Sequence, residues 1–276
     1  MVGNGVTDYR FDNELALFEM AFWYGFMSSD DYFNIKEFCL GDNPPNSCDT
    51  WISNAEASLK NINLYDAFGK CYTNPSSLEH LSLYEGKASG LYRTGNEIKA
   101  FKRYYTAGDL TPFLKNPLGS KLGGKLKLIP DCVYAKPLLD YMNDPTVKAA
   151  LHIGVSAPMW DLCNADINTN YVRSPAGSID VYVELRKKYR MLKYSGDTDM
   201  AVPTYGTRDW IDNLAWPISK EWKQFFVNGQ VGGYSETRDD GNFVFATIHG
   251  AGHMAPQWRR GPTYHVIFNF VNSKAI

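Results

Sequence analysis

Two short motifs constrain this chain more than any other part of it. Tyr194-Ser195-Gly196-Asp197-Thr198-Asp199-Met200-Ala201-Val202-Pro203 follows the short run Met191-Leu192-Lys193, and Gly250-Ala251-Gly252-His253-Met254-Ala255-Pro256 follows a β-branched and aromatic run at 242–248. Each reads as a strand that stops near a glycine and opens into a loop bearing one reactive side chain, first a carboxylate and then an imidazole. Reacting groups in open α/β sheets sit just beyond the carboxyl ends of strands, and both motifs occupy that place.

The surrounding pattern agrees with such a sheet. Residues 1–8 read as the end of a core strand followed by a Gly-Asn-Gly turn. Residues 9–140 look helical and irregular: Leu15, Phe18, Phe22 and Phe26 recur at helical spacing over 13–26, a second helix is expected over 48–64, and 76–124 reads as surface loop. Residues 141–276 alternate helices and strands. Asn143-Asp144-Pro145 opens a helix with a capping side chain and a proline in the first turn. Helices are expected over 178–189, 207–214 and 262–271, and strands over 191–194, 223–227, 233–237 and 242–248, with Asn228-Gly229 as a hairpin turn. Strands alternating with helices predict an α/β fold with a partly parallel sheet.

Composition narrows the function classes. The chain has 276 residues, 44% of them hydrophobic, with a formal net charge of −2. It can bury a sizeable core, and no basic patch interleaved with aromatics suggests nucleic acid. No apolar run reaches the roughly 20 residues of a membrane span, and Met1-Val2-Gly3-Asn4-Gly5 carries no secretory leader pattern. No Asn-x-Ser/Thr acceptor is present, since Asn74 precedes Pro75. The five cysteines, at 39, 48, 71, 132 and 163, match no zinc spacing. They are either scattered thiols or a disulfide framework, with Cys39 and Cys48 flanking a turn-forming run.

In a carboxylate–imidazole site the acid orients the ring and stabilises its charged form, while the ring serves as general base and then general acid. Asp199 is the candidate acid, with Asp197 as rival, and His253 is the candidate base. Asp197-Thr198-Asp199 also fits a solvated turn or an Asx-type cap. His249 fits a satisfied structural histidine, and Asp197, Asp199, His249 and His253 together would make a His/Asp metal site. The nucleophile is the missing part. No Gly-x-Ser-x-Gly elbow precedes Asp199. Gly154-Val155-Ser156-Ala157-Pro158 lacks the closing glycine and a preceding strand, so Ser156 reads as a loop serine.

On these residues the chain resembles the C-terminal half to two-thirds of the serine carboxypeptidases, an α/β-hydrolase family of lysosomes, vacuoles and secretions. Val2-Gly3-Asn4-Gly5-Val6-Thr7-Asp8 resembles the family's Gly-Asn-Gly segment, and Asp144-Pro145 to His152 its Asp-Pro-x-Val-x-x-Ala-Leu-His helix. Tyr194 to Pro203 with Gly206-Thr207-Arg208, Gly229 to Tyr234, and Thr247 to Pro256 complete the series in order. The resemblance implies a partial α/β-hydrolase fold, with a mixed, mostly parallel sheet and a helical cap insertion over 9–140. It implies a serine-type carboxypeptidase that releases C-terminal residues from peptides through an acyl-enzyme, with no cofactor and no metal. Asp199 is then the triad acid, His253 the triad base and Met254 a residue lining the substrate site. It further implies disulfides Cys39–Cys48 and Cys71–Cys132, and an unpaired Cys163 whose family partner lies near the family's N-terminus.

The family's serine elbow and its Asn-Gly-Gly-Pro-Gly loop have no counterpart in this sequence. The expectation is therefore a chain carrying only the acid and base, partnered by an N-terminal chain or segment that supplies the serine. The rival expectation is a truncated inactive paralogue acting as a binding or decoy protein, and an acyltransferase-type relative would use the same triad. Lysosomal, vacuolar or secreted localisation follows from the resemblance alone.

Overall fold

The computed structural model describes residues 1–40, 44–69, 71, 136–161, 170, 172 and 177–276. The stretch 76–124, Cys132 and Cys163 lie outside them.

Three helices come first. α1, Glu14–Trp23, starts where Asn13 leaves the helical conformation and its side chain accepts from the backbone N–H of Leu15 and Ala16 at 3.0 and 3.2 Å. It ends at Gly25 (φ 74°), where Phe26 N–H reaches back to the Ala21 carbonyl at 2.8 Å. α2, Ser29–Phe38, is capped by Ser28, whose hydroxyl accepts from Asp31 N–H at 3.1 Å. α3, Ser47–Ser58, stops short of the expected Leu64 because Asn61 adopts a left-handed conformation (φ 63°) that a helix cannot continue through. Leu17, Phe18, Ile35, Ile52 and Ala55 from these helices form one core together with Met200 of the acid motif. Cys39 and Cys48 are bonded to each other, joining the end of α2 to the start of α3. Cys71 is also disulfide-bonded.

Two short helices follow, α4 (Lys136–Asn143) and α5 (Pro145–Ala150). Asp144 caps α5 by accepting from Thr146 N–H at 2.7 Å, as the Asn-Asp-Pro pattern requires. The α-helices that follow among the described residues are α6 (Ile179–Leu185), α7 (Thr204–Asn213), α8 (Ala255–Trp258) and α9 (Arg260–Val271).

Five strands form one sheet: β1 (Val2–Gly3), β2 (Met191–Gly196), β3 (Ile218–Val227), β4 (Gln230–Arg238) and β5 (Phe243–Ile248), in the order β1-β2-β5-β4-β3. β1, β2 and β5 run parallel, and the β3–β4 hairpin continues the sheet antiparallel from β5. The hairpin strands are longer than expected because pairing carries β3 back to Ile218 and β4 to both sides of 233–237, from Ile218 opposite Arg238 to Val227 opposite Gln230.

The period of two along β5 sorts its side chains between the sheet's faces. Phe243 and Phe245 join Tyr182, Trp210 and Ile211 under α6 and α7, while Ala246 and Ile248 join Leu192 and Val266 under α9. Helices thus cover both faces, the arrangement that parallel strands require.

Lys193 breaks the apolar pattern of β2. It is fully buried, with its ammonium over the Trp210 ring at 5.6 Å and donating to the Gly5 carbonyl. Asp12, equally buried, accepts from Thr7 and Asp8 N–H at 2.7 and 3.1 Å. Burial outweighs the mutual attraction of the two groups: it pushes the Asp12 carboxyl up to about 6 and the Lys193 ammonium down to about 8.

The folded protein therefore holds the Asp12 proton more tightly than the unfolded chain, whose value is 3.8. The stability this gives is fully present below about pH 4 and is lost as pH rises through about 6. Lys193 acts in the other window: stability gained by neutralising it appears as pH rises from about 8 towards 10.5. Asp12→Asn is expected to flatten the pH dependence of denaturant stability between pH 4 and 6.5 by about 1–3 kcal/mol. Parallel pH profiles for the two proteins would contradict the assignment.

Candidate active site

The loop after β2 and the loop after β5 leave adjacent parallel strands at the same end of the sheet. They interlock through backbone groups. Asp197 N–H donates to the Ile248 carbonyl at 3.2 Å and Thr198 N–H to the Ala251 carbonyl at 2.9 Å. The 63–67 segment after α3 closes the third side. Met200 N–H donates to Leu64, Ala67 N–H to Thr198 and His253 N–H to Tyr65, at 2.9, 2.9 and 2.7 Å. These approaches explain two glycines. A Cβ on Gly196 would lie 2.2 Å from the Ala251 carbonyl oxygen, and one on Gly252 would lie 1.9 Å from that of Tyr65.

Within this frame the structure brings Asp199 and His253 together: Asp199 Oδ2 lies 2.9 Å from His253 Nδ1. Asp199 is completely buried. Its Oδ1 accepts from Ala201 and Val202 N–H at 2.8 and 3.0 Å, and its Oδ2 also accepts from Asn4 Nδ2 at 2.8 Å. Burial raises the carboxyl above its ordinary value and outweighs the contact with His253 and the backbone and Asn4 donors, which pull it down. The His253 ring is about one-third exposed, at 31%, and stands edge-on to the Tyr65 ring with centroids 5.1 Å apart. Its Nε2 has no hydrogen-bond partner among the described residues.

Asp197, the rival acid, pairs instead with His249 at 2.7 Å, and its other oxygen accepts from Gly250 N–H at 2.7 Å. The His249 ring is 58% exposed. Its backbone carbonyl accepts from Arg259 Nε at 2.9 Å. The Tyr24 hydroxyl donates to the Asp197 carbonyl, and burial near Asp197 and Asp199 raises its pKa so that it stays protonated. The four side chains form two separate acid–imidazole pairs, and among the described residues no cluster of three or more His, Cys, Asp or Glu is placed to hold a metal. Met254 is half-buried, and its carbonyl accepts from Gln257 N–H at 2.9 Å at the start of α8. Ser156 is exposed on the loop after α5 and makes no hydrogen bond to His253.

Asn4 and Tyr65 were not read as site residues from the sequence. Asn4 carried a signal: it sits at the end of β1 between two glycines and takes a left-handed conformation (φ 47°) that asparagine tolerates well. Tyr65 carried none, since its contribution is a backbone carbonyl and a ring edge delivered from far along the chain.

With this geometry in place, comparison with known proteins is decisive. The sequence profile of the serine carboxypeptidase family matches residues 1–273. The chain belongs to the serine carboxypeptidase family. It is 31% identical over 274 residues to serine carboxypeptidase 1 of Hordeum vulgare, covering 94% of this chain and 53% of that protein. It is 27% identical over 285 residues to the lysosomal protective protein of Mus musculus, covering 99% of this chain and 58% of that protein. A prohormone-processing carboxypeptidase from Saccharomyces cerevisiae shares the fold, with a TM-score of 0.54 at 16% identity over 99% of this chain and 54% of that one. The fold is thus of the α/β-hydrolase type, and the chain spans about half the length of these relatives. Among the described residues no helix of this serine carboxypeptidase family member is long and apolar enough to cross a membrane.

Removing the Asn4 donor leaves a buried carboxylate with one hydrogen bond fewer. Asn4→Gly deletes that donor without backbone strain and is expected to lower stability by about 1.5–3 kcal/mol. A shift below about 0.5 kcal/mol in denaturant unfolding would contradict that role.

Proposed function

We propose that this chain is the proton-handling part of a serine-type carboxypeptidase, with Asp199 as triad acid and His253 as triad base. The observation that carries the reading is the buried Asp199–His253 Nδ1 hydrogen bond at the carboxyl end of parallel strands, which leaves Nε2 without a protein partner among the described residues. A carboxylate at Nδ1 fixes the tautomer that holds the proton there, so Nε2 presents its lone pair. Nε2 takes the proton of a serine hydroxyl as that oxygen adds to the scissile carbonyl. It returns the proton to the leaving amine as the peptide bond breaks, releasing the C-terminal residue and leaving an acyl-enzyme. Water then repeats the sequence, and the acyl group departs as a free carboxylic acid.

The serine comes from a segment N-terminal to these residues, since no serine elbow precedes Asp199 here and the relatives are about twice as long. Residues 9–140 form the cap insertion, Met254 lines the peptide site, and 141–276 form the C-terminal part of the core. The working compartment is lysosomal, vacuolar or secretory.

The test is hydrolysis of a blocked dipeptide. The 276 residues alone are expected to give no turnover, because nucleophile and oxyanion donors are both supplied from outside them. Extension with the serine-elbow segment is expected to give turnover that falls by roughly 10⁴-fold or more in His253→Ala. A folded, extended protein without activity, or with activity indifferent to His253→Ala, would falsify the assignment.

A further inference from the structure

At the opposite end of the sheet from His253, the basic residues Arg190, Lys220, Lys223 and Lys274 line one cavity of about 160 Å³, together with the C-terminal Ile276. Arg190 immediately precedes β2, while Val244, near the start of β5, lines the cavity too. Six residues of β5 separate the two ends, roughly 17 Å of extended chain.

The convergence of these cations is built by the backbone. Lys220 pairs with Thr237 and Lys223 with Ser235, so three steps along β3 match two along β4. That one-residue bulge turns both lysines to the face shared by Ser235 and Thr237, although three steps along a regular strand would separate them. Lysines on an edge strand are an ordinary guard against edge-to-edge pairing. Here the bulge aims them at a cavity that two further elements also supply with positive charge.

Arg190 is fixed in place. Nη1 donates to Ser273 Oγ at 2.5 Å, Nη2 donates to the Phe270 carbonyl, and the guanidinium stacks over the Phe270 ring at 4.7 Å. Lys274 follows α9 and lies over the Phe268 ring at 5.3 Å. The ion pairs nearest in the sequence use other cations, Arg186 with Asp239 and Arg238 with Glu236 and Asp212. None of the four cavity cations has a carboxylate within ion-pair distance among the described residues. Ile276 lines the cavity too, and its single α-carboxylate offsets only part of this positive charge, so a further anion is attracted.

We propose that this cavity binds a phosphate group, held by Arg190, Lys220, Lys223 and Lys274 with the Ser235 and Thr237 hydroxyls as further donors. A multivalent oxyanion answers four cations where a single carboxylate leaves most of the charge uncompensated. The volume is below the 300–1,000 Å³ typical of pockets for drug-sized ligands, which favours a phosphate head over a larger molecule. The proposal is independent of the triad assignment, because no residue of the cavity belongs to the His253 site.

Phosphorus NMR and calorimetry on the 276-residue chain at low ionic strength test it, with inorganic phosphate and glycerol phosphate as probes. Saturable binding with a Kd on the order of 1 mM or tighter is expected, weakening as sodium chloride screens the site. Lys220→Ala/Lys223→Ala is expected to weaken it about tenfold or more, while Lys60→Ala/Lys148→Ala leaves it unchanged. Comparable affinity for glycerol phosphate assigns the site to phosphomonoesters, and loss of affinity for it assigns the site to the free ion. A non-saturable response, or equal loss in both double variants, overturns the proposal.

Discussion

The Asp199 carboxylate is the group on which the rest of the site depends. An isolated carboxylate in a fully buried position would be neutral, because burial penalises its charge heavily. Four donors meet it: two backbone N–H groups of its own loop, the Asn4 amide and the His253 ring. Those donors come from the ends of β1, β2 and β5. Satisfying one charge thus requires three neighbouring strands in their observed order, and the parallel register that provides it also aims His253.

The two acid–imidazole pairs show how burial separates roles within one pair of loops. Asp197–His249 is solvated, with the imidazole 58% exposed, and such pairs contribute little beyond tying one loop to the other. Asp199–His253 has a fully buried acid and a one-third exposed imidazole whose Nε2 has no hydrogen-bond partner among the described residues. Only the second has the low-dielectric anchor that makes an orienting hydrogen bond strong. The Asp-Thr-Asp spacing sends the two carboxylates in different directions, which is why neighbours in sequence serve different histidines.

Much of this was legible in the residues. The strand–glycine–loop pattern located both site motifs, and Asn143-Asp144-Pro145 located a helix start that the Asp144 cap bears out. Local signals failed where the decisive contact is long-range. Tyr65 serves His253 through its carbonyl, a group every residue possesses. The end of α3 depends on the left-handed conformation of Asn61, where apolar spacing alone suggested continuation to Leu64. The α2 start carries a local signal in Ser28 and Asp31, which the broad reading of 9–140 as helical and irregular does not single out. Nothing local in the strand Met191-Leu192-Lys193-Tyr194 signals that Lys193 is buried, and only the fold reveals its partners at Gly5 and Trp210.

The central claim is that the scaffold of these 276 residues presets the His253 ring through the buried Asp199. Nitrogen-15 and proton NMR of the His253 ring in the 276-residue protein tests it most directly. The account predicts the Nδ1-protonated tautomer, with a low-field Nδ1 proton that disappears in Asp199→Ala. An Nε2-protonated ring, or a low-field proton indifferent to Asp199→Ala, would contradict it.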